Sequence, residues 1–193
     1  MTSADLSELR FAVVDVETTG LSSEHDSVLQ VGVVVVDSAG TVLDRWGSLL
    51  RPRQRWFGRV GAQHIHGIRR RQLRHAPPAP QVLARLLESL DGCILVAHNA
   101  EFDIAFLRKA CQRAAIEFPP RPTLCTLELA RGLDPNRTMS HRLAALCERY
   151  GIDLLSPHDA LADADATAAL LPVLLREHGI ASAGQLEAQL SSR

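Results

Sequence analysis

The sequence predicts an α/β fold, with a mixed sheet and helices on its faces. In the first part of the chain, short apolar segments rich in valine indicate strands, and a turn over 38–40 joins two of them into a hairpin. Further along, helical patterns alternate with short apolar strands. A hairpin followed by this alternation is typical of a mixed sheet with helices packed against it.

The strand predictions depend on apolar runs and on β-branched residues. Residues 11–15 form a short buried strand, and 28–37 give the strongest strand signal because they are so rich in valine. Residues 41–50 complete the hairpin. Residues 94–97 predict a fourth strand, and 124–126 a short fifth one.

The helix predictions depend on apolar residues three and four positions apart. This spacing occurs over 81–90 and 100–115, and Gly151 ends a further helix over 141–150. A long helix rich in alanine and leucine covers 160–176. Shorter helices are expected at 127–132 and 183–190, and a loop with short helical pieces at 51–80.

Length and composition favour one domain with a substantial core. The 193 residues are 46% hydrophobic and 22% charged, which excludes wholesale disorder. No apolar run reaches the roughly 18 residues that a membrane span needs, and the N-terminus lacks the apolar segment of a secretory signal. We therefore expect a cytoplasmic protein. The four cysteines are widely spaced, which predicts reduced, mostly buried thiols and no zinc site.

Positive charge is concentrated in one segment. Nine arginines and no acidic residue lie between Arg45 and His75, so a net charge of −1 leaves −10 on the rest of the chain. A basic segment against an acidic remainder favours a polyanionic partner. A solvated arginine-rich surface explains the same pattern equally well.

Two acidic residues end the first strand. Asp15 and Glu17 are two positions apart, so both point to the same face of the sheet. Adjacent carboxylates repel and raise each other's pKa, and a hard divalent cation relieves that repulsion. The pair alone is a weak signal, because a strand that ends in a polar turn also explains it.

Later acidic residues lie near predicted helix starts. Asp103 falls in a first helical turn, where the helix dipole favours an acid and Asn99 is the expected N-cap. Asp163 lies one turn into the last long helix, after the expected N-cap Asp159. Since Asp165 is about 200° from Asp163 around that helix, only one of them can face a shared site.

Taken in order, these motifs resemble the DnaQ-like 3′–5′ exonucleases of the DEDDh type, which include the proofreading subunit of bacterial replicative polymerase, ribonuclease T and oligoribonuclease. The matching segments are Asp15-Val-Glu17-Thr-Thr-Gly20, His98-Asn-Ala-Glu-Phe-Asp103 and His158-Asp-Ala-Leu-Ala-Asp163, with weaker matches at 63–68 and 140–152. The resemblance implies an exonuclease domain over 10–178, an N-terminal extension over 1–9 and a short tail over 179–193.

The resemblance also implies a fold and a site. The fold would be ribonuclease H-like, a mixed five-stranded sheet flanked by helices. Two divalent ions, Mg²⁺ or Mn²⁺, would be bound by Asp15, Glu17, Asp103 and Asp163, with Asp15 bridging both. His158 would be the general base, a role that suits histidine. In one regular helix His158 and Asp163 would be about 140° apart, so we expect His158 in the loop before the helix.

The implied reaction is hydrolysis of the 3′-terminal phosphodiester by a two-metal mechanism, with release of nucleoside 5′-monophosphates. Thr18, His66 and Phe102 match positions near the terminal nucleotide, although core packing explains Phe102 nearly as well. The arginines between 51 and 74 would contact the phosphate backbone. Among them, Trp56 and Phe57 would either stack on bases or pack under the loop.

The substrate class stays open at this point. Thr18 follows the pattern of the proofreading-like branch, whereas oligoribonuclease typically has methionine there, so single-stranded DNA is favoured. The alternatives are an RNA-trimming exoribonuclease and an inactive nucleic-acid-binding accessory protein. A DNA polymerase or a homodimer partner also fits the resemblance. Gln30 stands where many relatives have an acid, which puts an auxiliary polar contact there in doubt.

Overall fold

A computed structural model describes residues 5–51 and 60–192, and its centre is a mixed sheet. The strands are β1 (Arg10–Thr18), β2 (Val28–Asp37), β3 (Val42–Leu49), β4 (Ile94–Ala97), β5 (Pro122–Cys125) and β6 (Ser191–Ser192). Their order is β3-β2-β1-β4-β5-β6, with β1 antiparallel to β2 and parallel to β4. The predicted five-stranded mixed sheet is confirmed, and the two-residue β6 adds an antiparallel neighbour to β5 that the sequence did not indicate.

Eight helices surround the sheet in the described part of the chain. They are α1 (Gln63–His66), α2 (Arg70–His75), α3 (Ala79–Ser89), α4 (Ala100–Ala114), α5 (Thr126–Leu133), α6 (Leu143–Tyr150), α7 (Ala160–Glu177) and α8 (Ala183–Glu187). The short helices α1 and α2 are the helical pieces expected within 51–80. Helix α6 begins two residues later than predicted, because Arg142 still has an extended backbone.

The alternation of side chains along β1 divides the core into two layers. Val14 and Val16 belong to the layer with α3 and α4, whereas Phe11 and Val13 belong to the layer with α7. Because side chains alternate along a strand, Asp15 and Glu17 continue the α7 face. The two acids therefore lie where the apolar part of that face ends.

Two glycines allow α7 to approach the sheet closely. Gly32 of β2 pairs with Asp15 on one side and with Gly47 of β3 on the other. A Cβ atom on Gly32 would lie 2.1 Å from the carbonyl oxygen of Ala160, and one on Gly47 would lie 3.0 Å from the Cβ of Leu161. The N-terminus of α7 consequently rests on β2, beside the acidic end of β1.

The segment after α7 packs on the same core layer. Ile180 and Leu186 are buried there, and Ser182 forms a bridge with Asp5. All four cysteines are free, two of them buried and two half-buried. Over the described ranges, we find no helix with the length and apolar character required to cross a membrane.

Candidate active site

The four predicted acids line one cleft at the carboxyl end of β1. Asp15 and Glu17 come from β1, Asp103 from the first turn of α4 and Asp163 from the first turn of α7. The cleft, called the first cleft below, has a volume of about 460 Å³. The structure thus brings together carboxylates from three separate segments of the chain.

His158 lies in the loop before α7, as its spacing from Asp163 predicted. Its φ of 67° is left-handed, so the chain turns sharply there, and its backbone N–H donates to Asp163 Oδ2 at 3.1 Å. The side chain is exposed and lines the first cleft. Potential ligand atoms of Glu17, His158 and Asp163 lie within 4.8 Å of one another.

The start of α7 is fixed by two polar side chains. Asp159 is the N-cap, as predicted, and accepts hydrogen bonds from the N–H groups of Leu161 and Ala162. Gln30 Nε2 donates to Asp159 Oδ2 at 2.9 Å, and the N–H of Ala160 donates to Gln30 Oε1 at 3.4 Å. Gln30 therefore makes a polar contact after all, one that holds β2 against the helix that carries Asp163.

Asp103 is almost completely buried and supports the end of β1. Its Oδ1 accepts a hydrogen bond from the N–H of Val16 at 3.2 Å. Asn99 occupies the N-cap position of α4, as predicted, but its side chain makes no capping hydrogen bond. Its backbone is left-handed, with φ of 75°, whereas an N-cap residue that bonds through its side chain typically has an extended backbone.

The carboxylates are electrostatically strained. Burial, followed by the charges of Asp103 and Asp163, raises the pKa of Asp15 well above its ordinary value. Burial and the nearby Asp163 raise the pKa of Glu17 to about 8. Asp163 Oδ1 is buried without a hydrogen-bond partner among the described residues. Divalent cations with oxygen ligands would relieve this repulsion, so the donor set fits them.

The three predicted substrate contacts also line the first cleft. Thr18 is buried, and its hydroxyl donates to the carbonyl of Gly20 at 2.6 Å. Phe102 is half-buried and its ring centroid lies 4.8 Å from that of Phe106, so it borders the cleft and packs on the core at once. His66 is buried; its Nδ1 accepts from the N–H of Ile68 at 3.0 Å, so Nε2 carries the ring hydrogen of the neutral form.

His98 is a residue of the cleft to which the sequence analysis gave no role. Its Nε2 lies 3.0 Å from the carbonyl oxygen of His141, and its Nδ1 lies 3.0 Å from Thr126 Oγ1. Burial lowers the pKa of His98 to about 4, so the ring is neutral near pH 7. A carbonyl only accepts, so Nε2 carries the hydrogen of the neutral ring, and the single hydroxyl hydrogen of Thr126 can be donated either to Nδ1 or to the carbonyl of Ala97, 3.3 Å away. The sequence signal for a role of His98 was its position at the start of the matching segment His98-Asn-Ala-Glu-Phe-Asp103.

Two exposed apolar side chains were also missed. Leu21 is 87% exposed and Ile65 is 47% exposed, and both border the first cleft. Leu21 lies in an irregular segment and Ile65 in the four-residue helix α1, and both segments are too short for hydrophobic periodicity to show. Their exposure beside the acids gives the mouth of the cleft an apolar rim.

The arginine-rich segment is only partly described. Arg69, Arg70 and Arg71 are exposed at the start of α2, whereas Trp56 and Phe57 lie outside the described residues. Phosphate contact by this segment stays a prediction. Arg45 instead pairs with Asp165 at 2.6 Å, which places Asp165 away from the first cleft.

Comparison with known proteins agrees with this geometry. Residues 12–171 match the exonuclease family RNase_T. A DNA polymerase III PolC-type from Bacillus cereus is 36% identical over 172 residues, which are 89% of this chain and 12% of that protein. The chain therefore corresponds to a small part of such relatives.

Two solved structures share the fold. E. coli exonuclease I in complex with a dT13 oligonucleotide has a TM-score of 0.77 at 22% identity, over 89% of this chain and 42% of that one. Exonuclease X in complex with 5′ overhanging duplex DNA has a TM-score of 0.68 at 26% identity, over 88% of this chain and 93% of that one. This chain belongs to the RNase T and DnaQ-like family of 3′–5′ exonucleases, which are metal-dependent phosphodiesterases with a ribonuclease H-like fold.

Proposed function

We propose that this chain removes nucleotides from the 3′ end of nucleic acid and that single-stranded DNA is its preferred substrate. The observation that carries the proposal is the convergence of four carboxylates and His158 in the first cleft. The PolC-type relative is a DNA polymerase, and exonuclease X, at 26% identity, was solved with duplex DNA, which supports DNA over RNA. The PolC-type relative also supports a proofreading or repair role beside a polymerase.

The first cleft would hold two divalent ions, Mg²⁺ or Mn²⁺. Asp15 would contact both, Glu17 and Asp163 one of them, and Asp103 the other. Bound there, the ions would supply an activated water and neutralise charge on the scissile phosphate and on the leaving 3′-oxygen. The buried, unpartnered Oδ1 of Asp163 supports this assignment, because an orphaned carboxylate oxygen is a ready ligand.

His158 would act on the attacking water. Its exposed ring lies beside Glu17 and Asp163, and the hydrogen bond from its backbone N–H to Asp163 fixes the loop. A neutral imidazole there can take the proton of the water as the new bond to phosphorus forms. The bond to the 3′-oxygen then breaks and a nucleoside 5′-monophosphate leaves.

The residues around the acids suit a terminal nucleoside. Phe102, Ile65 and Leu21 provide apolar surface for a base and sugar. Thr18 and His66 place polar atoms at the same wall. We propose residues 10–178 as the segment that performs the reaction.

The decisive experiment uses 5′-labelled oligonucleotides with Mg²⁺, Mn²⁺ or a chelator. Linear single-stranded DNA should give a ladder that shortens from the 3′ end, and the chelator should abolish it. A blocked 3′ terminus should protect the strand, whereas a blocked 5′ terminus should not. Matched RNA and duplex substrates test the preference, and cleavage of a closed circular strand would show an endonuclease instead.

A further inference from the structure

A second cleft, of about 710 Å³, adjoins the candidate active site. Its walls come from α5, from the segment before α6 and from the loop before α7. The two clefts share three lining residues, namely His98, His158 and Asp163. A linear ligand centred on the acids therefore reaches into both.

The two clefts differ in charge. No arginine or lysine lines the first cleft among the described residues, whereas Arg131, Arg137 and Arg142 line the second. Arg131 is paired with Glu128 at 2.6 Å. Arg137 and Arg142 are exposed, and within the described ranges neither guanidinium has a carboxylate partner. Two cationic groups are thus available to a ligand.

The basic wall of the second cleft is held in place by buried polar groups. Asp134 accepts hydrogen bonds from the hydroxyl of Thr138 at 3.0 Å and from the N–H of Met139 at 2.9 Å. Its Oδ2 also lies 3.3 Å from Nε2 of His141, whose carbonyl accepts from His98. These contacts connect the wall to the active site and fix its shape.

We propose that the second cleft binds the nucleic-acid strand on the 5′ side of the scissile phosphate, with Arg137 and Arg142 contacting successive phosphates. The inference rests on the proposed function and extends it. The first cleft takes the terminal nucleoside and, with its metal ions, the scissile phosphate, but among the residues that the structure describes it has no cationic side chain for the phosphates that follow on the 5′ side. The second cleft combines guanidinium groups for phosphates with apolar surface from Leu127 and Leu143 for sugars and bases.

The test compares a long and a minimal substrate. The p-nitrophenyl ester of thymidine 5′-monophosphate has no phosphate on the 5′ side of the scissile one, so it offers no anion for Arg137 and Arg142 to bind, whereas a single-stranded oligonucleotide does. The variant Arg137→Ala/Arg142→Ala should raise KM for the oligonucleotide roughly tenfold, because two charged hydrogen-bond donors are removed, with little change in kcat. Its log–log salt dependence should become shallower by about 1.4, since each phosphate that the protein no longer binds lowers the slope by about 0.7 on single strands.

Activity on the ester should be unchanged in this variant. Arg176→Ala is the matched control, because Arg176 is an exposed arginine about 20 Å from Asp163 along α7. It should behave as wild type on both substrates. The variant Arg137→Lys/Arg142→Lys should recover much of the affinity, since lysine keeps the charge.

Three outcomes would decide against the inference or against the function it rests on. An unchanged KM and salt slope on the oligonucleotide would overturn the role of the second cleft. So would an equal loss of activity on the ester, because the arginines would then act through the active site. If wild type hydrolyses neither substrate, the proposed function fails, and oligonucleotide binding measured in chelator still compares wild type with the double variant.

Discussion

Four carboxylates share the first cleft, and their repulsion governs how single substitutions there act. Asp15 is the most crowded of them, with burial and four neighbouring acids raising its pKa. Without metal, such a group contributes stability at low pH that is lost as the pH rises through its raised pKa. The negative charge of Asp15 would therefore favour metal binding, but the same charge destabilises the metal-free fold.

Asp15→Asn should abolish cleavage and raise the melting temperature of the metal-free protein. The amide keeps the shape of the side chain and removes one half-buried charge from a cluster of acids, so the gain should be about 1–3 kcal/mol at pH 8. Thermal denaturation in chelator measures the gain, and Mg²⁺ should stabilise wild type more than the variant. Turnover at the wild-type rate in Mg²⁺ would contradict the metal assignment.

His158→Ala should lower kcat by roughly 10² to 10⁴, the cost of removing a general base, with metal affinity little changed. Asp163→Asn should lose both activity and metal affinity. Asp165→Asn is the control: it removes only an exposed ion pair with Arg45, worth at most about 1 kcal/mol. Kinetics and metal titration of the three variants check this, and an inactive Asp165→Asn beside an active Asp163→Asn would disprove it.

At the residue scale, all eight side chains that the sequence predicted for the site line the first cleft. They could be predicted because each lies in a short motif. The sequence did not identify the contacts of Gln30 and His98. Gln30 meets Asp159 across 129 positions, and His98 meets the carbonyl of His141 across 43. Side-chain partners this far apart depend on the packing of whole elements, which no local pattern encodes.

At the scale of elements, the close approach of α7 to β2 positions His158 and Asp163 in the first cleft. Gly32→Ala places a Cβ against a backbone carbonyl that no side-chain rotation can move. We expect a decrease of about 1–3 kcal/mol in the free energy of unfolding and a reduced kcat, as His158 and Asp163 shift with the helix. Gly184→Ala, where the new Cβ meets no atom within 4 Å, should lower neither, because alanine is accommodated in α8 and favours the helix.

Urea unfolding and steady-state kinetics of both glycine variants test this element. A Gly32→Ala protein with wild-type stability would show that the helix start can move without cost. A destabilised Gly32→Ala protein with wild-type kcat would show that the site does not depend on that approach.

His98 connects the end of β4 to the segment before α6, and its lowered pKa makes the stability of the fold depend on pH. In the unfolded chain its pKa is near 6.5, and burial lowers it to about 4 in the fold. The unfolded state therefore binds the extra proton between those values, and stability falls as the pH drops through that window, by roughly 3 kcal/mol in total. Unfolding in urea from pH 7.5 to 4.5 should show a smaller decline in His98→Gln, and equal declines would contradict the assignment.

Local patterns located the helices and strands well but not their ends. Helix α6 starts late because His141 is held by Asp134 and His98. The connection from β4 into α4 takes Asn99 through a left-handed turn, which only the fixed positions of both elements require. β6 has two residues, too few for any periodicity to reveal.

For the whole molecule, we expect the arginine-rich segment between Arg45 and His75 to increase the affinity for a polyanionic substrate. Arg69→Ala/Arg70→Ala/Arg71→Ala should raise KM for single strands and make the salt dependence of binding shallower by about 0.7 for each phosphate that these arginines bind in the wild type. Titration of a labelled oligonucleotide at several salt concentrations measures the slope. An unchanged slope would mean that these exposed arginines form only a solvated face.

The parts of the first cleft are widely separated along the chain, and this has a consequence for how the protein is made. Translation adds Asp15 about 140 residues before His158 and Asp163. A nascent chain that lacks α7 has neither the base nor a complete set of ligands, and its sheet is still uncovered on that face. The capacity to cut would appear only when the last long helix folds onto β1 and β2, so an unfinished copy would spare the nucleic acid around it.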